Sequence, residues 1–240
     1  MNIKTLSQIA SSTEPVKAHV DYLLKIAKPR IDIQLVEDSV SPENSRFGGH
    51  PFVPAGFQWP SHKVGEYRFL GQFNFAELSD PSGLLPASGL LSLFYAFDED
   101  GEIFWRDDDY ILGFYWCNYH DHKLFDSPTA KVPVSRKIQL SSGIDIPRRE
   151  CLRDDWPFDE DALYELLDAV DATNEYLLGY PSFTSLGYDP TPGPGWISLL
   201  TVHSLDEFDW CWHDGDKLMV FIEAERLAAC DFNRLKSDAG

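Results

Sequence analysis

Basic residues are scarce in this chain. Its 240 residues include 20 Lys and Arg against 39 Asp and Glu, so the formal net charge at pH 7 is −19. A nucleic acid would be repelled by such a surface unless the few basic side chains clustered, and they are spread along the sequence. We therefore expect no nucleic-acid partner.

The acidic excess is largest in residues 154–175, which contain nine carboxylates and no Lys or Arg. A run of this kind usually forms a solvated face that keeps a protein in solution. It can also steer a basic protein partner toward the chain, because opposite charges speed association. Both interpretations remain open at this point.

Cysteine is also scarce, and its spacing matches no known motif. Cys117, Cys151, Cys211 and Cys230 are 34, 60 and 19 positions apart, so the sequence has no C-x-x-C pair. Structural zinc sites usually need such closely spaced pairs. Without a secretory signal ahead of them, these cysteines indicate reduced, structural thiols in a cytoplasmic protein.

Long apolar runs are missing from the sequence. The longest, near residues 90–97, is far shorter than the roughly 20 residues that a membrane-spanning helix needs. The first residues contain neither a continuous apolar segment nor an Arg-rich transit pattern. We therefore expect no membrane association and a cytoplasmic location.

Motifs of the common enzyme classes are absent as well. The sequence contains no G-x-S-x-G, P-loop, G-x-G-x-x-G or H-E-x-x-H motif. Its 39 carboxylates offer too many pairs for any two to be nominated as acid and base. We expect no cofactor and favour a protein that is not an enzyme.

The best metal-like group is the segment YHDHK at residues 119–123. On a strand, His120 and His122 would point to one side and Asp121 to the other. Two ligands do not make a zinc site, so His120 and His122 are weak metal candidates. We favour surface histidines in a hairpin loop.

Hydrophobic periodicity predicts many short strands and a few helices. Residues 13–28 have helical spacing, with Thr13 as the N-cap and Pro15 in the first turn; residues 159–174 place Leu163, Leu166, Leu167 and Val170 on one face. The expected fold class is α+β, predominantly antiparallel β. The predicted strands are RIDIQLVED, YRFLGQFNF, GLLSLFYAF, GEIFWRD, ILGFYWCN, KVPVSRKIQL, GWISLLTVHS and DKLMVFIEA.

The two halves of the chain match when one is shifted by 130 positions. After a further deletion of three residues, GLLSLFYAF aligns with DKLMVFIEA. We predict a tandem duplication of one α+β unit, with an N-terminal helical segment at 1–30, a first unit at 31–145 and a second at 146–240, all in one compact domain. The matched residues are Gly49, Pro51, Gly65, Leu70 and Glu77 with Gly179, Pro181, Gly195, Leu200 and Glu207.

The stretch SRFGGHPFVPAGFQWP at residues 45–60 is unusually rich in glycine, proline and aromatic residues. A Gly-x-Pro corner in both halves is most simply a backbone device, because glycine permits φ > 0 and proline stops strand pairing. Trp59 and three phenylalanines would then cap the core. The alternative is a ligand pocket in which Arg46 and His50 supply the polar contacts.

Two arginines lie beside apolar residues that we expect to be buried. Arg46 is part of the corner, and Arg68 precedes the apolar residues of a predicted strand. Each could be a member of a buried ion pair or a ligand for an anion. We favour the ion pair for both, since buried charges are usually paired.

Five motifs in the same order resemble the YwqG-like family of uncharacterised bacterial proteins. They are the corner stretch, RFLGQFNFAEL, LPASGLLSLFYAF, LLGYP, and W-x-x-D-G-D-K-L-x-V-F-I with a terminal D-F-x-R; together they span most of residues 30–235. The resemblance implies no established activity. Some members are encoded near secreted antibacterial toxins, so it implies a protective, toxin-binding role for part of the family.

The sequence departs from the pattern of that family at several polar positions. Asn174 and Glu175 stand where members often have a histidine, and Ser185 where they often have glutamine. Val202 and His203 replace a usual Gln and Asp. A site built from those family positions is therefore not expected in this chain.

Two hypotheses follow. The first is a cytoplasmic, non-enzymatic module whose acidic or aromatic surface binds a basic protein, for example a toxin. The second is an enzyme or small-ligand sensor with a site in the cleft between the two units, where Arg46, His50, Gln72 and His203 would meet. With Trp59 from the corner, these are the candidate binding residues.

Overall fold

The described part of the chain contains twelve strands and four α-helices. The computed structural model describes residues 1–14, 16–149, 152–158, 160–170 and 173–240. The helices are α1 Ile3–Ser12, α2 Val20–Ile26, α3 Glu160–Ala169 and α4 Ala224–Ala228. The strands are β1 Lys28–Val36, β2 Arg46–Phe47, β3 Phe52–Pro54, β4 Glu66–Asn74, β5 Leu90–Phe97, β6 Ile111–Trp116, β7 His122–Leu124, β8 Arg136–Asp145, β9 Tyr176–Leu178, β10 Trp196–His203, β11 Lys217–Glu223 and β12 Lys236–Ala239.

Ten of these strands form one antiparallel sheet in the order β12-β11-β10-β9-β1-β8-β2-β4-β5-β6. The remaining two, β3 and β7, pair with each other beside it. This arrangement confirms the prediction of a predominantly antiparallel β fold with a few helices. Among the described residues, every helix is too short or too polar to span a lipid bilayer.

The alternation of apolar and polar residues explains the central strand β1. Ile31 and Ile33 are buried, whereas Gln34 is exposed. A strand that buries one face shows this period of two. β1 pairs with β8 on one side and with β9 on the other, so it lies at the middle of the sheet.

The large sheet curves until its two edges approach each other. Ser237 Oγ on β12 donates a hydrogen bond to the Trp105 carbonyl, in the loop before β6, at 2.6 Å. Lys236 Nζ lies 2.6 Å from Asp108 Oδ1 in the same loop. The concave side encloses one apolar core that contains residues of both halves, among them Phe47, Phe73, Phe208 and Trp210.

The helices α1, α2 and α3 cover a second, smaller core. Leu6, Leu23 and Leu166 are fully buried there together with Ile146. The side chain of Leu163, which we predicted on the same face of α3, lies outside the described part of the structure. The helix itself agrees with the predicted helical segment at 159–174, although Asp159, Asp171 and Ala172 also lie outside the described residues.

Three local predictions differ from the structure. Thr13 is the C-cap of α1 and not the N-cap of the next helix; α1 itself was not predicted. Pro15, predicted in a first helical turn, lies outside the described residues, and residues 16–26 form a 3-10 turn followed by α2. The segment GEIFWRD at 101–107 forms turns and no strand.

The large sheet consists of two sets of five strands that are arranged in the same way on either side of its centre. β8, β2, β4, β5 and β6 follow each other outward from the centre, as do β1, β9, β10, β11 and β12. Each corner has two consecutive residues with positive φ: Gly48 (64°) and Gly49 (73°) in one half, Leu178 (62°) and Gly179 (75°) in the other. The strand pair that follows each corner has a register shift: β4–β5 at residues 69–71 and β10–β11 at residues 198–200. The tandem duplication stays a prediction that these observations motivate.

Candidate functional site

The corner after β2 is held by the strands on both sides of it. Arg46 and Phe47 pair with β4 on one edge and with β8 on the other. A methyl group on Gly49 would lie 2.7 Å from Ser135 Cβ, and Gly49 has a φ of +73°. Only glycine satisfies both conditions without strain, so the corner has the backbone role that the sequence predicts.

Arg46 is a buried cation with no carboxylate partner in the described part of the chain. Its side chain is 1 % exposed, and its guanidinium donates hydrogen bonds to the carbonyl oxygens of Pro42 and His50. Burial lowers the pKa of Arg46 to about 10, while the nearby Glu43 carboxylate acts in the opposite direction. The ion pair that we expected for Arg46 is therefore not found.

Gln72 is fully buried beside Arg46 and serves the backbone. Its Nε2 donates to the carbonyls of Pro42 and Asn44, both at 2.9 Å, and its Oε1 accepts the Phe52 amide at 3.3 Å. These bonds use the polar atoms of the side chain. Gln72 therefore positions the Pro42 loop over Arg46, and it does not line the cavity described below.

His50 contacts Arg46 through its carbonyl and has two N–H groups without a protein acceptor in the described part of the chain. Its Nδ1 accepts the Ser127 amide at 3.1 Å, so in the neutral ring the proton resides on Nε2. In the described part of the chain the His50 amide has no hydrogen-bond acceptor, whereas the His50 carbonyl accepts from Arg46 at 2.6 Å. An amide without a protein acceptor can donate to water or to a bound ligand.

Arg46 and His50 line a cavity of about 380 Å³. Ser41 and Ser135 add hydroxyl groups to its wall, and no Asp or Glu is among the lining residues. A cavity of this size with a few polar groups on an apolar wall is typical of small-ligand sites. The apolar wall consists of Val40, Pro42, Leu124, Val132 and Pro133.

The other two candidate binding residues lie elsewhere. Trp59 is half-buried, stacks on Phe125 at 5.8 Å between ring centroids and donates Nε1–H to the Tyr67 carbonyl. His203 lies on β10, separated from β2 in the sheet by β9, β1 and β8. The structure thus brings Arg46, His50 and Gln72 together and leaves Trp59 and His203 outside this site.

The two weak metal candidates do not share a strand face. His120 is exposed in a turn, and only His122 belongs to β7. The His122 ring packs at an angle against Phe52 and Trp116, with centroid distances of 5.6 and 5.1 Å. Within the described ranges, no group of three or more His, Cys, Asp or Glu residues could hold a metal ion.

Arg68 has ion-pair partners, as expected, but the pairs are not buried, because the Glu66 and Asp209 side chains are 39 % and 43 % exposed. Its guanidinium lies 2.8 Å from Glu66 and 3.6 Å from Asp209, and it covers the Phe97 ring at 3.4 Å.

Of the four cysteines, Cys117, Cys211 and Cys230 are free thiols, and Cys151 lies outside the described residues.

Ser185, His213 and Asp216 form a polar group near the start of β11. Ser185 Oγ lies 3.1 Å from His213 Nδ1 and 3.0 Å from Asp216 Oδ2, and the same Nδ1 lies 3.5 Å from Asp216. In a hydrolase triad the serine and the carboxylate contact opposite ring nitrogens. Here both contact Nδ1, so this group lacks the geometry of a catalytic triad.

Comparison with known families assigns residues 45–237 to a domain of unknown function, DUF1963. The chain belongs to the DUF1963 family. The match begins at the corner, so Arg46, His50 and Gln72 are inside the DUF1963 region, whereas Val40 precedes it. Comparison with curated proteins gives no match. The narrower resemblance to the YwqG-like family stays a prediction.

Two of the candidate binding residues, Arg46 and His50, line the cavity, whereas the sequence did not point to its apolar walls. Arg46 and His50 stand out because they are polar residues in a glycine- and proline-rich corner. Val40, Leu124 and Ser135 come from three other segments, and nothing local in the sequence marks them as neighbours. The signal that could have found Val40 is the correspondence of β1 with β8.

Proposed function

We propose that this DUF1963 protein binds a small anionic ligand in the cavity beside Arg46. The observation that carries the proposal is the burial of the Arg46 guanidinium without a carboxylate partner. Burying an unpaired charge is costly, and removing one partner of a buried pair commonly costs several kcal/mol. An anion in the cavity would supply the missing partner.

The rest of the cavity supports this choice of ligand charge. Since no acidic side chain lines it, an anion entering it meets the cation, the His50 amide and two serines, and the Glu43 carboxylate that acts on Arg46 lies outside the lining. The surface of the protein carries a large negative charge, so anions gain little from long-range steering. Binding would then depend on the local contacts with Arg46 and His50.

The experiment compares anion binding by the wild type and two variants with isothermal titration calorimetry. Inorganic phosphate and hexanoate are the probes. Arg46→Gln removes the cation and should weaken binding at least about tenfold, because charge-assisted hydrogen bonds contribute about 1.5–3 kcal/mol. Arg234→Gln removes one positive charge from an exposed position and is the matched control.

A second variant keeps the test decisive if Arg46→Gln does not fold. Ser135→Leu fills part of the cavity and keeps the Arg46 guanidinium, and it should also abolish binding of both probes. The proposal is wrong if neither phosphate nor hexanoate binds the wild type in the millimolar range. It is equally wrong if the anion binds the Ser135→Leu and folded Arg46→Gln variants as it binds the wild type.

The duplication gives the proposed site a counterpart in the other half of the chain. The exchange symmetry of the strand order and the matched positive φ angles support a tandem duplication. On this view β1 and β8 are equivalent strands, so the second unit would begin at β8 and not at residue 146 as predicted, and each strand pairs beside the other unit's corner. The second corner, at Gly179, can then be compared position by position with the first corner, at Gly49.

A second candidate function is the binding of a basic protein by the acidic surface. Five carboxylates of residues 154–170 are exposed on and before α3, which is the observation that favours it. Reversing three of them, in Asp161→Lys/Glu165→Lys/Asp168→Lys, should abolish salt-sensitive binding of a basic partner. A triple reversal at the exposed residues Glu99, Asp100 and Glu102 is the matched control, and equal loss in both variants would count against α3.

A further inference from the structure

The second half of the chain holds a carboxylate at its own corner. Asp145 Oδ2 accepts the Tyr180 amide at 2.9 Å, directly after the positive-φ residue Gly179. Asp145 Oδ1 lies 3.2 Å from Arg30 Nη1. Asp145 is buried, so this carboxylate is a ligand that the chain itself supplies to the corner.

Strand pairing identifies the corresponding positions in the first half. Phe47 and Leu177 correspond under the shift of 130 positions; Phe47 pairs with Arg136, and Leu177 pairs with Ile31. Ile31 therefore corresponds to Arg136, a shift of 105 positions, from 31 to 136. The same shift relates Val40 to Asp145.

Val40 occupies the position in the first half that a carboxylate occupies in the second. It lines the cavity together with Gly49 and His50, which correspond to Gly179 and Tyr180. The Tyr180 amide is bound by Asp145, whereas in the described chain the His50 amide has no acceptor. On this correspondence the first half has an apolar side chain at the position where the second half has its carboxylate.

Each corner also has one buried guanidinium, which comes from a different strand in each half. Arg30 on β1 covers the Tyr176 ring at 3.8 Å and pairs with Asp32 and Asp145. Under the two shifts Tyr176 corresponds to Arg46. Arg30 corresponds to Ser135, a small residue that leaves room beside Arg46.

We infer that the ligand of the first corner is a carboxylate, bound by the His50 amide and the Arg46 guanidinium where Asp145 binds in the second half. This inference rests on the proposed anion site and names the class of anion. The carboxylate belongs to a small molecule with an apolar group, because the cavity wall is apolar beyond Arg46. The lining residues include no acid to pair with an ammonium group, so free amino acids are disfavoured.

The decisive variant supplies the carboxylate from the chain. In Val40→Asp the new side chain should pair with Arg46, as Asp145 pairs with Arg30, and hexanoate binding should fall at least about tenfold. Val40→Asn has the same size without the charge and is the matched control. Val40→Asp should melt about 2–4 °C above Val40→Asn, since each kcal/mol shifts the melting temperature of a chain of this size by about that much.

The probes separate a failure of this inference from a failure of the proposed function. Hexanoate should bind the wild type more tightly than inorganic phosphate, and hexylamine should not bind. Phosphate binding that depends on Arg46 without hexanoate binding would overturn the carboxylate and leave the anion site. A Val40→Asp protein that does not fold, melts below Val40→Asn, or binds hexanoate as the wild type does would also overturn the inference.

Discussion

At the scale of single residues, Arg30 and Arg46 show two ways to accommodate a buried guanidinium. Both side chains are 1 % exposed. Arg30 is neutralised by Asp32 at 2.6 Å and Asp145 at 3.2 Å, whereas Arg46 has carbonyl oxygens as its acceptors. These carbonyl oxygens accept two of the five N–H donors of the guanidinium and do not cancel its charge, so the proposed anion would stabilise the local structure around Arg46.

Gly49 allows the contributions of backbone angle and of space to be measured separately. Gly49→Ala should cost about 1–3 kcal/mol of unfolding free energy, because the residue has positive φ and lies against Ser135. Gly83 has a φ of +67° with open space around it, so Gly83→Ala should cost about 1 kcal/mol through the angle alone. Gly56 has neither constraint, and Gly56→Ala should be close to neutral. Urea denaturation of the three variants gives the values. Equal costs at Gly49 and Gly56 would contradict the role of the corner.

The candidate site could be predicted from the sequence only as far as its polar residues. Arg46, His50 and Gln72 are polar side chains in or near an apolar corner, and composition alone draws attention to them. Val40 and Ser135 lie in segments that reach the corner through strand pairing across the chain, and pairing partners are not encoded locally. Val40, on which the carboxylate inference depends, is an ordinary apolar residue with no chemical signal.

At the scale of elements, the long strands were predictable from the sequence and the short ones were not. β4, β5, β10 and β11 each contain seven to nine residues and appear in the sequence as apolar runs. β2, β3, β7 and β9 contain two or three residues, too few to show a period. These short strands border the corners, so the part of the fold nearest the site was the least predictable.

The segment GEIFWRD shows why strand-like composition is insufficient. Asp98 accepts the amides of Glu102 and Ile103, and Asp107 accepts the amide of Phe104. These side-chain bonds satisfy backbone donors that a strand would use for pairing, so the segment folds into turns. Aspartates flanking an apolar stretch were the signal for this outcome.

The stability of the folded protein should depend on pH through His122 on β7. In the structure neither ring nitrogen of His122 has a hydrogen-bond partner, and burial lowers the pKa of the ring, with the Asp121 carboxylate opposing the shift. Because the folded-state pKa is below the unfolded value near 6.5, the unfolded chain takes up the proton first as the pH falls. Stability is therefore lost from about pH 6.5 downward, toward the folded-state pKa.

Replacing His122 with an aromatic residue that cannot take up a proton tests this expectation. His122→Phe should reduce the loss of melting temperature between pH 7 and pH 5, since a neutral ring can still pack against Phe52 and Trp116. His120→Gln, at an exposed turn position, is the matched control and should leave the pH dependence unchanged. An unaltered pH profile in His122→Phe would show that this ring is not the titrating group.

At the scale of the whole molecule, the sheet joins the two halves. β1 lies between β8 and β9, so a strand from the first half of the chain completes the pairing of the second. Phe47 and Phe208 meet edge to face in the shared core, with their ring centroids 6.0 Å apart. Neither half can bury its apolar face alone, which is the physical reason to expect one cooperative unit.

We therefore predict a single unfolding transition that a substitution in either half shifts as a whole. Phe208→Ala removes a fully buried ring that contacts Phe47 and Trp210, and it should cost about 3–5 kcal/mol of unfolding free energy. Near-ultraviolet circular dichroism reports side-chain packing and far-ultraviolet circular dichroism reports the strands. Both signals should move together to the lower melting temperature. Phe104→Ala, at an exposed ring, is the control and should leave the transition in place. A second transition in Phe208→Ala, with half of the strand signal retained, would mean that the two halves fold independently and that the shared core is not what joins them.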